Sequence, residues 1–341
     1  MKLLKKLCET PGIPGYEERI RKVIMKELKP HVDEIRTDKL GNVIAHKKSD
    51  SKLKVMISAH MDEIGFVVTH IDKKGFIRFS PVGGFDPRTL VAQRVVVHGK
   101  KDIKGVIGAK PVHIQEPEER KKGAKLKELF IDVGLNEKEA KERVKLGDFV
   151  TLDREFVELS KNLISSKAFD DRIGIFVMIE AMKKLKSPKA DVYAVASVQE
   201  EVGLRGAVVS SYGIEPEIGV ALDVTIAADV PGTKEEEVIT RVGKGTAIKI
   251  MDSYSISDAK LVEFLKGLAE EREIPYQLEI LPKGGTDAAA IQKSRGGARV
   301  VTISVPTRYV HSVVETASKD DVTNSIRLLV AFLENLHRLE I

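Results

Sequence analysis

The sequence is poor in the residues that mark several classes of protein. It has one cysteine, Cys8, and no tryptophan among 341 residues. A single cysteine excludes an intrachain disulfide and a cysteine-based zinc cluster. No run approaches the ~18–20 uncharged apolar residues of a membrane helix, and the N-terminal segment lacks the sustained apolar stretch of a signal peptide. These absences favour a cytoplasmic protein.

The charge balance also excludes some partners. The chain carries 56 Lys and Arg against 51 Asp and Glu, a net charge of +5. Lys and Glu alternate along the chain, which is typical of a solvated surface with many ion pairs. Nucleic-acid binding would instead concentrate basic residues with interleaved aromatics. We therefore expect neither a nucleic-acid nor a membrane partner. The richness in Lys and Glu suggests a thermophilic source.

The pattern of apolar residues changes along the chain and predicts two units. After two N-terminal helices, short β-branched runs punctuated by glycine predict small antiparallel strands, with residues 116–128 as an exposed charged loop. From about residue 160, continuous apolar strands alternate with helices, including a strand at Val238–Arg241, and this predicts a mixed sheet covered on both faces. We therefore predict an α/β domain from residues 1–65 and 160–341, with a β-rich module inserted at 66–159.

Five short polar motifs follow or end apolar runs that we predict to be strands. In open α/β sheets, ligands bind at the carboxyl ends of the strands, so these motifs are expected to meet in one crevice. They supply only histidine and carboxylate side chains, which suit Zn²⁺, Co²⁺ or Mn²⁺ in a catalytic role. The candidates are His60 and Asp62 in SAHMDE, Asp170 and Asp171 in KAFDDR, Glu200 and Glu201 in SVQEE, Asp223 in GVALDV and His311 in RYVHS.

The charge of this set favours two metal ions over one. If one of the adjacent aspartates caps the following helix, five carboxylates remain to meet in the cleft. Neighbouring negative charges raise one another's pKa values, so these groups cannot all stay ionised without compensation. One dication would leave a charge of about −3 and two would leave about −1. Two metals ~3.5–4 Å apart are also the arrangement that aminopeptidases use.

Together these motifs make the chain similar to the M42 family of metallo-aminopeptidases of the tetrahedral (TET) type. SAHMDEIG, KAFDDRIG, QEEVG, ALDV, GGTDAAA and RYVHS occur in the family's order over essentially the whole length. Members are also called glutamyl or deblocking aminopeptidases and, misleadingly, endoglucanases. The resemblance implies a mixed central sheet flanked by helices, as in zinc peptidases, and the removal of N-terminal residues from peptides.

The resemblance also implies a role for each candidate residue. Two divalent ions per subunit, Zn²⁺ or Co²⁺, would be bound in the crevice. Glu200 would be the general base, and Asp62 would orient the His60 imidazole. The implied metal ligands are His60 and Asp223 in one set, Glu201 and His311 in the other, and Asp170 as the bridge. A cis peptide bond is implied between Asp170 and Asp171.

Further implications concern assembly and the substrate pocket. Residues 66–159 would be a PDZ-like dimerisation domain, and the family assembles as homododecamers built from dimers that enclose their active sites. The segment GGTDAAA, residues 284–290, could be a simple turn in which Asp287 caps a helix. The resemblance instead places it near the pocket for the first residue of the peptide.

A glycoside hydrolase and a non-enzymatic scaffold are the two alternatives to a peptidase. A glycoside hydrolase needs two carboxylates ~5–9.5 Å apart across the sugar, but here the carboxylates would be occupied by metals. With no tryptophan and 5% aromatic residues, the chain also offers few platforms for sugar rings. A non-enzymatic scaffold would bind peptide ends through the insert, but it would not need an intact set of metal ligands.

Overall fold

A mixed sheet forms the centre of the protein in a computed structural model that describes residues 1–117 and 125–340. Eleven strands of the described chain belong to it. In spatial order they are β1 (Glu34–Thr37), β2 (Val43–Lys47), β12 (Asp191–Ser197), β3 (Lys54–His60), β13 (Ile218–Ile226), β16 (Arg299–Arg308), β17 (Glu315–Ser318), β11 (Leu163–Ser166) and β10 (Val157–Glu158), with β14 (Thr246–Met251) paired to β16 and β15 (Tyr276–Ile280) paired to β14.

Helices cover both faces of this sheet, as the continuous apolar strands predicted. In β3 the side chains alternate: Val55 and Ile57 belong to the larger core, whereas Met56 packs with Ile214 and Ile291 in a smaller one. The fold class is therefore confirmed for this part of the chain. The helices of the described chain are α1 (Lys2–Glu9), α2 (Glu18–Leu28), α3 (Glu137–Arg143), α4 (Phe169–Lys184), α5 (Arg205–Ile214), α6 (Ala259–Glu271), α7 (Ala288–Gln292) and α8 (Lys319–Asn335). Of these, α3 packs on the inserted module and not on the sheet.

The expected β-rich insert is a closed barrel of six antiparallel strands with its own core. Phe66 stacks on Phe85 with ring centroids 4.5 Å apart and meets the edge of Phe79 at 4.8 Å. Closure leaves none of the six strands with an unpaired edge. In order around the barrel the strands are β4 (Gly65–Ile71), β5 (Ile77–Val82), β8 (Phe130–Asp132), β7 (Asp102–Gly108), β6 (Arg94–His98) and β9 (Phe149–Leu152).

The parallel strands at the centre of the sheet bring polar residues to the same edge. His60, the last residue of β3, lies opposite Ser197, the last residue of β12. β13 pairs with β3 as far as Ala221, and continuing that register places Asp223 level with His60. The prediction that Asp223 ends its strand is wrong, because β13 pairs with β16 up to Ile226. β13 thus extends beyond β3, and Asp223 faces the space above the end of β3.

Two other local predictions differ from the structure. The predicted strand at Val238–Arg241 is absent, and Thr240 makes only an isolated bridge to Ala227. A turn at Glu235–Glu237 precedes it and Gly243 follows at φ +83°, so too few extended residues remain for a ladder. Of the predicted charged loop, residues 118–124 lie outside the described chain, and Leu126–Glu128 forms a single 3₁₀ turn.

Gly206 allows α5 to pack closely against the end of β12, and this contact supports the segment that carries Glu200. A Cβ at Gly206 would collide with Asn42 Oδ1 and lie 2.5 Å from the backbone N and O of Val198. Asn42 joins the same two elements, because its Nδ2 donates to Gly206 O at 3.0 Å and its Oδ1 accepts from Val198 N at 2.9 Å. Only glycine fits this contact.

We expect Gly206→Ala to lower the free energy of unfolding by about 1–3 kcal/mol, because the added methyl overpacks the contact between α5 and β12. Gly213→Ala in the same helix is the matched control, because a Cβ there meets nothing within 4 Å. It should change stability by less than about 1 kcal/mol, in the stabilising direction. Thermal and urea unfolding measure both variants, and equal effects would contradict the packing argument.

Candidate metal centre

The carboxyl edge of the parallel strands opens into a cavity of about 640 Å³, a size typical of ligand-binding pockets. Six of the seven residues predicted for the site line it. Asp62 is the exception, because its side chain is fully buried behind the cavity wall. The six lining residues are His60, Asp170, Glu200, Glu201, Asp223 and His311.

Asp170 lies between the two histidines and presents one carboxylate oxygen to each. His60 Nε2 is 2.9 Å from Asp170 Oδ1, and His311 Nε2 is 3.2 Å from Asp170 Oδ2. Glu201 Oε1 lies 3.5 Å from His311 Nε2. A carboxylate that uses both oxygens in this way has the geometry of a bridge between two binding positions.

The two binding positions have different neighbours. On the first side, single ligand atoms of His60, Asp171 and Asp223 lie within 4.8 Å of one another. On the second side, His311 Nε2, Asp170 Oδ2 and Glu201 Oε1 lie together. His60 and Asp223 thus lie on the first side and Glu201 and His311 on the second, but single ligand atoms of His60, Asp170 and Glu201 also lie within 4.8 Å of one another, so His60 is near both positions.

Asp171 has the helix-capping contact that the sequence predicted for one member of the pair. Its Oδ1 accepts a hydrogen bond from Gly174 N at 2.9 Å, at the start of α4. The preceding peptide bond, between Asp170 and Asp171, is cis. Asp171 Oδ2 is buried with no hydrogen-bond partner among the described residues. Asp171 thus caps the helix through Oδ1, while a ligand atom of the same side chain lies within 4.8 Å of ligand atoms of His60 and Asp223.

The Asp62 carboxylate contacts the backbone of the residues after β12 more closely than it contacts the His60 ring. Its Oδ1 and Oδ2 accept hydrogen bonds from the N–H groups of Glu200 and Glu201, both at 3.1 Å. His60 Nδ1 lies 3.1 Å from the Asp62 carbonyl oxygen and 3.7 Å from its carboxylate. The carbonyl thus orients the imidazole, while the carboxylate holds the segment that carries Glu200 and Glu201.

The protein alone leaves this group of carboxylates short of positive charge. Burial and the Asp170 carboxylate raise the pKa of Glu201 to about 7, and they raise the pKa of Asp223 well above its usual range. Burial would lower the pKa of the His311 imidazole, but the hydrogen bond to Asp170 and the charge of Glu201 raise it to about 10. Carboxylates that take up protons, and a histidine that retains one, are the response expected of a site that lacks cations.

The donor set fits divalent metals. A tetrahedral Zn²⁺ holds its ligands at about 2.0–2.2 Å, which places neighbouring ligand atoms roughly 3.3–3.5 Å apart. The distances of 2.9–3.5 Å among His60, Asp170, His311 and Glu201 are close to that spacing. Glu201 Oε1 is also buried without a hydrogen-bond partner among the described residues. A metal ion would satisfy that oxygen.

The barrel also reaches this site. Gly83 and Gly84 follow β5, and a Cβ on Gly83 would lie 3.4 Å from Glu201 Oε2, while a Cβ on Gly84 would lie 3.3 Å from His311 Nδ1. Gly83 has φ +89°, a conformation that other residues rarely adopt. The inserted module thus packs its backbone against the second binding position.

The GGTDAAA segment combines parts of both interpretations. Gly284, Gly285 and Thr286 line the same cavity as the six candidate residues. Asp287 occupies the N-cap position of α7 but makes no capping hydrogen bond. Instead its Oδ2 accepts a hydrogen bond of 2.6 Å from Ser58 and another of 2.6 Å from Ser197. Asp287 therefore joins β3 and β12 just before His60 and Glu200.

Sequence reasoning missed Glu315, although its carboxylate accepts hydrogen bonds from the backbone N–H groups of Asp170 and His311. It also missed a buried ion-pair network in which Glu63 contacts Lys167 and Arg172. Arg172 donates further to the carbonyl oxygens of Leu7, Thr10 and Gly12, and so holds the N-terminal segment. In the sequence, only closeness to a candidate residue could have indicated these two glutamates. Glu63 directly follows Asp62, and Glu315 lies four residues after His311.

Known proteins resemble this chain over nearly its whole length. The family described as M42 glutamyl aminopeptidase matches residues 41–328. A lysyl aminopeptidase of Pyrococcus furiosus is 42% identical over 99% of this chain and 98% of its own. An aminopeptidase structure from Desulfurococcus kamchatkensis superposes with a TM-score of 0.94 at 45% identity, covering 98% of this chain and 94% of that one.

A third relative is the TET1 peptidase of Pyrococcus horikoshii. Its structure superposes with a TM-score of 0.88 at 36% identity, covering 97% of this chain and 98% of that one, and it is described as assembling into a tetrahedron or a large octahedral shell. These matches support a metallo-aminopeptidase over the glycoside hydrolase and the non-enzymatic scaffold. The chain belongs to the M42 glutamyl aminopeptidase family of metallo-aminopeptidases.

Proposed function

We propose that the protein removes N-terminal residues from peptides with two divalent metal ions held in the cavity. The observation that carries the proposal is the position of Asp170, whose two carboxylate oxygens face the imidazoles of His60 and His311 at 2.9 and 3.2 Å. His60 and Asp223 would bind one ion, Glu201 and His311 the other, and Asp170 both. When bound, the ions lower the pKa of water and polarise the scissile carbonyl.

Glu200 is the proposed general base. Its carboxylate lines the cavity, with Oε2 3.9 Å from His60 Nε2, and its backbone N–H is held by Asp62. Burial and the charges of Asp223 and Glu201 raise its pKa well above the usual range. A raised pKa suits a base that accepts a proton from water as it attacks the carbonyl carbon. Glu200 then returns that proton to the leaving amine as the peptide bond breaks.

Restriction to the end of a peptide follows from the charge of the cavity. The carboxylates that surround the ions attract the free α-ammonium group of the substrate, which an internal peptide bond lacks. The side chain of the first residue would enter the part lined by Ile226, Leu281, Val310 and the glycines of GGTDAAA. This apolar wall, with Lys283 on it, favours a broad or neutral preference.

We expect Glu200→Gln to lower kcat by at least about 10²-fold on an aminoacyl-p-nitroanilide, because an amide cannot accept the proton from water. The variant should still bind its metals, as measured by isothermal titration with Zn²⁺, because Glu200 is not a proposed ligand. Glu142→Gln, at an exposed position in the barrel unit, is the control and should remain fully active. Substantial activity in Glu200→Gln would remove this residue from the role of base.

We expect dialysis against EDTA to abolish the aminopeptidase activity, because the proposed reaction needs both bound metal ions. Adding Zn²⁺, Co²⁺ or Mn²⁺ should refill the site and restore the activity. A panel of free aminoacyl-p-nitroanilides measures the activity, and N-acetylated versions of the same compounds are the matched controls. Activity that survives chelation, or cleavage of the acetylated compounds, would contradict the mechanism.

We also propose that the chain assembles into a homododecamer built from dimers, with the insert at residues 66–159 as the dimerisation domain and residues 1–65 and 160–341 as the catalytic domain. The tetrahedron described for the 36% identical TET1 peptidase supports this assembly, and a 34% identical TET1 structure is described as a dodecamer. Large apolar side chains exposed on the insert also support it, because such side chains mark association surfaces. They include Val106, Val112, Ile114 and Leu146.

Twelve chains of 37.7 kDa give an expected mass of about 450 kDa in size-exclusion chromatography with light scattering. The Glu200→Gln variant should elute at the same position, because its change lies inside the cavity. A single species near the mass of one or two chains, at micromolar concentration, would contradict the dodecamer without affecting the proposed chemistry.

A further inference from the structure

The segments that carry the second set of metal ligands have an irregular backbone. Ala168, two residues before Asp170, has φ +57°, and Tyr309 and His311 have φ +60° and φ +63°. Residues other than glycine occupy this left-handed region at a cost in free energy. Such a conformation persists only where surrounding contacts enforce it, so something must hold these two segments.

Glu315 makes the contacts that hold them. Its side chain is buried, with Oε2 accepting the backbone N–H of Asp170 at 3.1 Å and Oε1 accepting that of His311 at 2.8 Å. Each oxygen thus holds one ligand segment, and the two segments are far apart in sequence. One carboxylate fixes their separation.

The carboxylate itself is carried by a regular element. Glu315 is the first residue of β17 and pairs with Ser166, the last residue of β11. A side chain fixed on a paired strand positions its contacts more accurately than one on a loop. The rigid part of the fold therefore transmits its geometry to the irregular segments that bear Asp170 and His311.

Asp62 holds another segment of the site in the same way that Glu315 holds these two. Asp62 accepts the N–H groups of Glu200 and Glu201, and in the same segment Gln199 has φ +56°. Two buried carboxylates that line up backbone N–H groups thus serve four residues of the site. Glu315 is the counterpart that the sequence analysis did not identify.

We propose that Glu315 is a positioning residue for metal binding, and that it holds the backbones of Asp170 and His311 so that their side chains share one binding position. This inference rests on the proposed metal site. It predicts that a change at Glu315 weakens the binding of the ion between Asp170, Glu201 and His311 more than that of the ion at His60 and Asp223.

A matched control is available elsewhere in the molecule. Asp321 is also buried and also accepts two backbone N–H groups, those of Gly243 at 2.6 Å and Gly245 at 2.8 Å. It does not line the catalytic cavity. Asp321→Asn therefore removes the same kind of contact without touching a metal ligand, and it separates positioning from stability.

The test compares wild type, Glu315→Gln and Asp321→Asn after the metals have been removed by chelation. Glutamine presents one acceptor oxygen and an NH₂ group, so it cannot accept both N–H groups. In Glu315→Gln, calorimetric titration with Zn²⁺ should show one of two binding steps weakened by roughly 10–100-fold and the other changed less. The visible spectrum of the Co²⁺ form should change, and excess Zn²⁺ should restore activity. Asp321→Asn should retain wild-type affinity and spectrum, even if it unfolds at a lower temperature.

Glu315→Asp is the second variant, because it keeps the charge but is one methylene shorter and cannot reach both N–H groups. It should weaken the same binding step. Wild-type affinity and Co²⁺ spectrum in both Glu315 variants would overturn the proposal. Failure of both to fold, with Asp321→Asn folded, would assign Glu315 to stability and overturn it too. If wild type bound no metal at all, the proposed function would fail instead.

Discussion

The rest of the site depends on the mutual repulsion of carboxylates gathered at one edge of the sheet. Asp170, Glu200, Glu201 and Asp223 meet in a buried cavity with no Lys or Arg among their hydrogen-bond partners in the described chain. In a low-dielectric environment, such a group either takes up protons or binds cations. Divalent ions compensate the charge without protonating the base, which explains why metal binding and catalysis would be inseparable here.

A site with this repulsion needs a scaffold that resists it. The scaffold consists largely of further buried carboxylates, used as acceptors for neutral donors. Asp62 and Glu315 accept backbone N–H groups of residues that bear the chemistry, and Asp287 accepts the hydroxyl groups of Ser58 and Ser197. Hydrogen bonds to a charged acceptor are stronger than neutral ones. These contacts hold irregular loops at the ends of regular strands, where the backbone ladder alone does not.

The inserted barrel contributes to the site as well as to the proposed assembly. Gly83 and Gly84 bring its backbone against Glu201 and His311, where an added Cβ would lie 3.4 Å from Glu201 Oε2 and 3.3 Å from His311 Nδ1. Tyr16 on the catalytic side stacks on Phe149 of the barrel with ring centroids 4.7 Å apart. The two units therefore meet close to Glu201 and His311, two of the proposed metal ligands. An assembly built through the barrel would contact the element that forms this wall of the proposed site.

The sequence by itself determined the types of the elements and which histidine and carboxylate side chains line the cavity. Apolar periodicity predicted the sheet covered on both faces, and local cap chemistry is visible at Asp258, which begins α6 by accepting the N–H groups of Lys260 and Leu261. The His and carboxylate motifs at strand ends predicted the members of the site, because those side chains have few other uses beside buried strands. Only local patterns were needed for these conclusions.

The tertiary structure alone decided which groups support the site and how the ligands are shared. Glu315 and Asp287 reach their partners across 145 and 229 residues of sequence, and no local pattern encodes such contacts. The extension of β13 beyond β3 depends on pairing with β16, so the place of Asp223 could not be read from its own strand. Side-chain type and the periodicity of apolar residues are local properties of the chain. Strand register, close backbone packing and the contacts of Asp170 with two histidines exist only once distant segments are packed together.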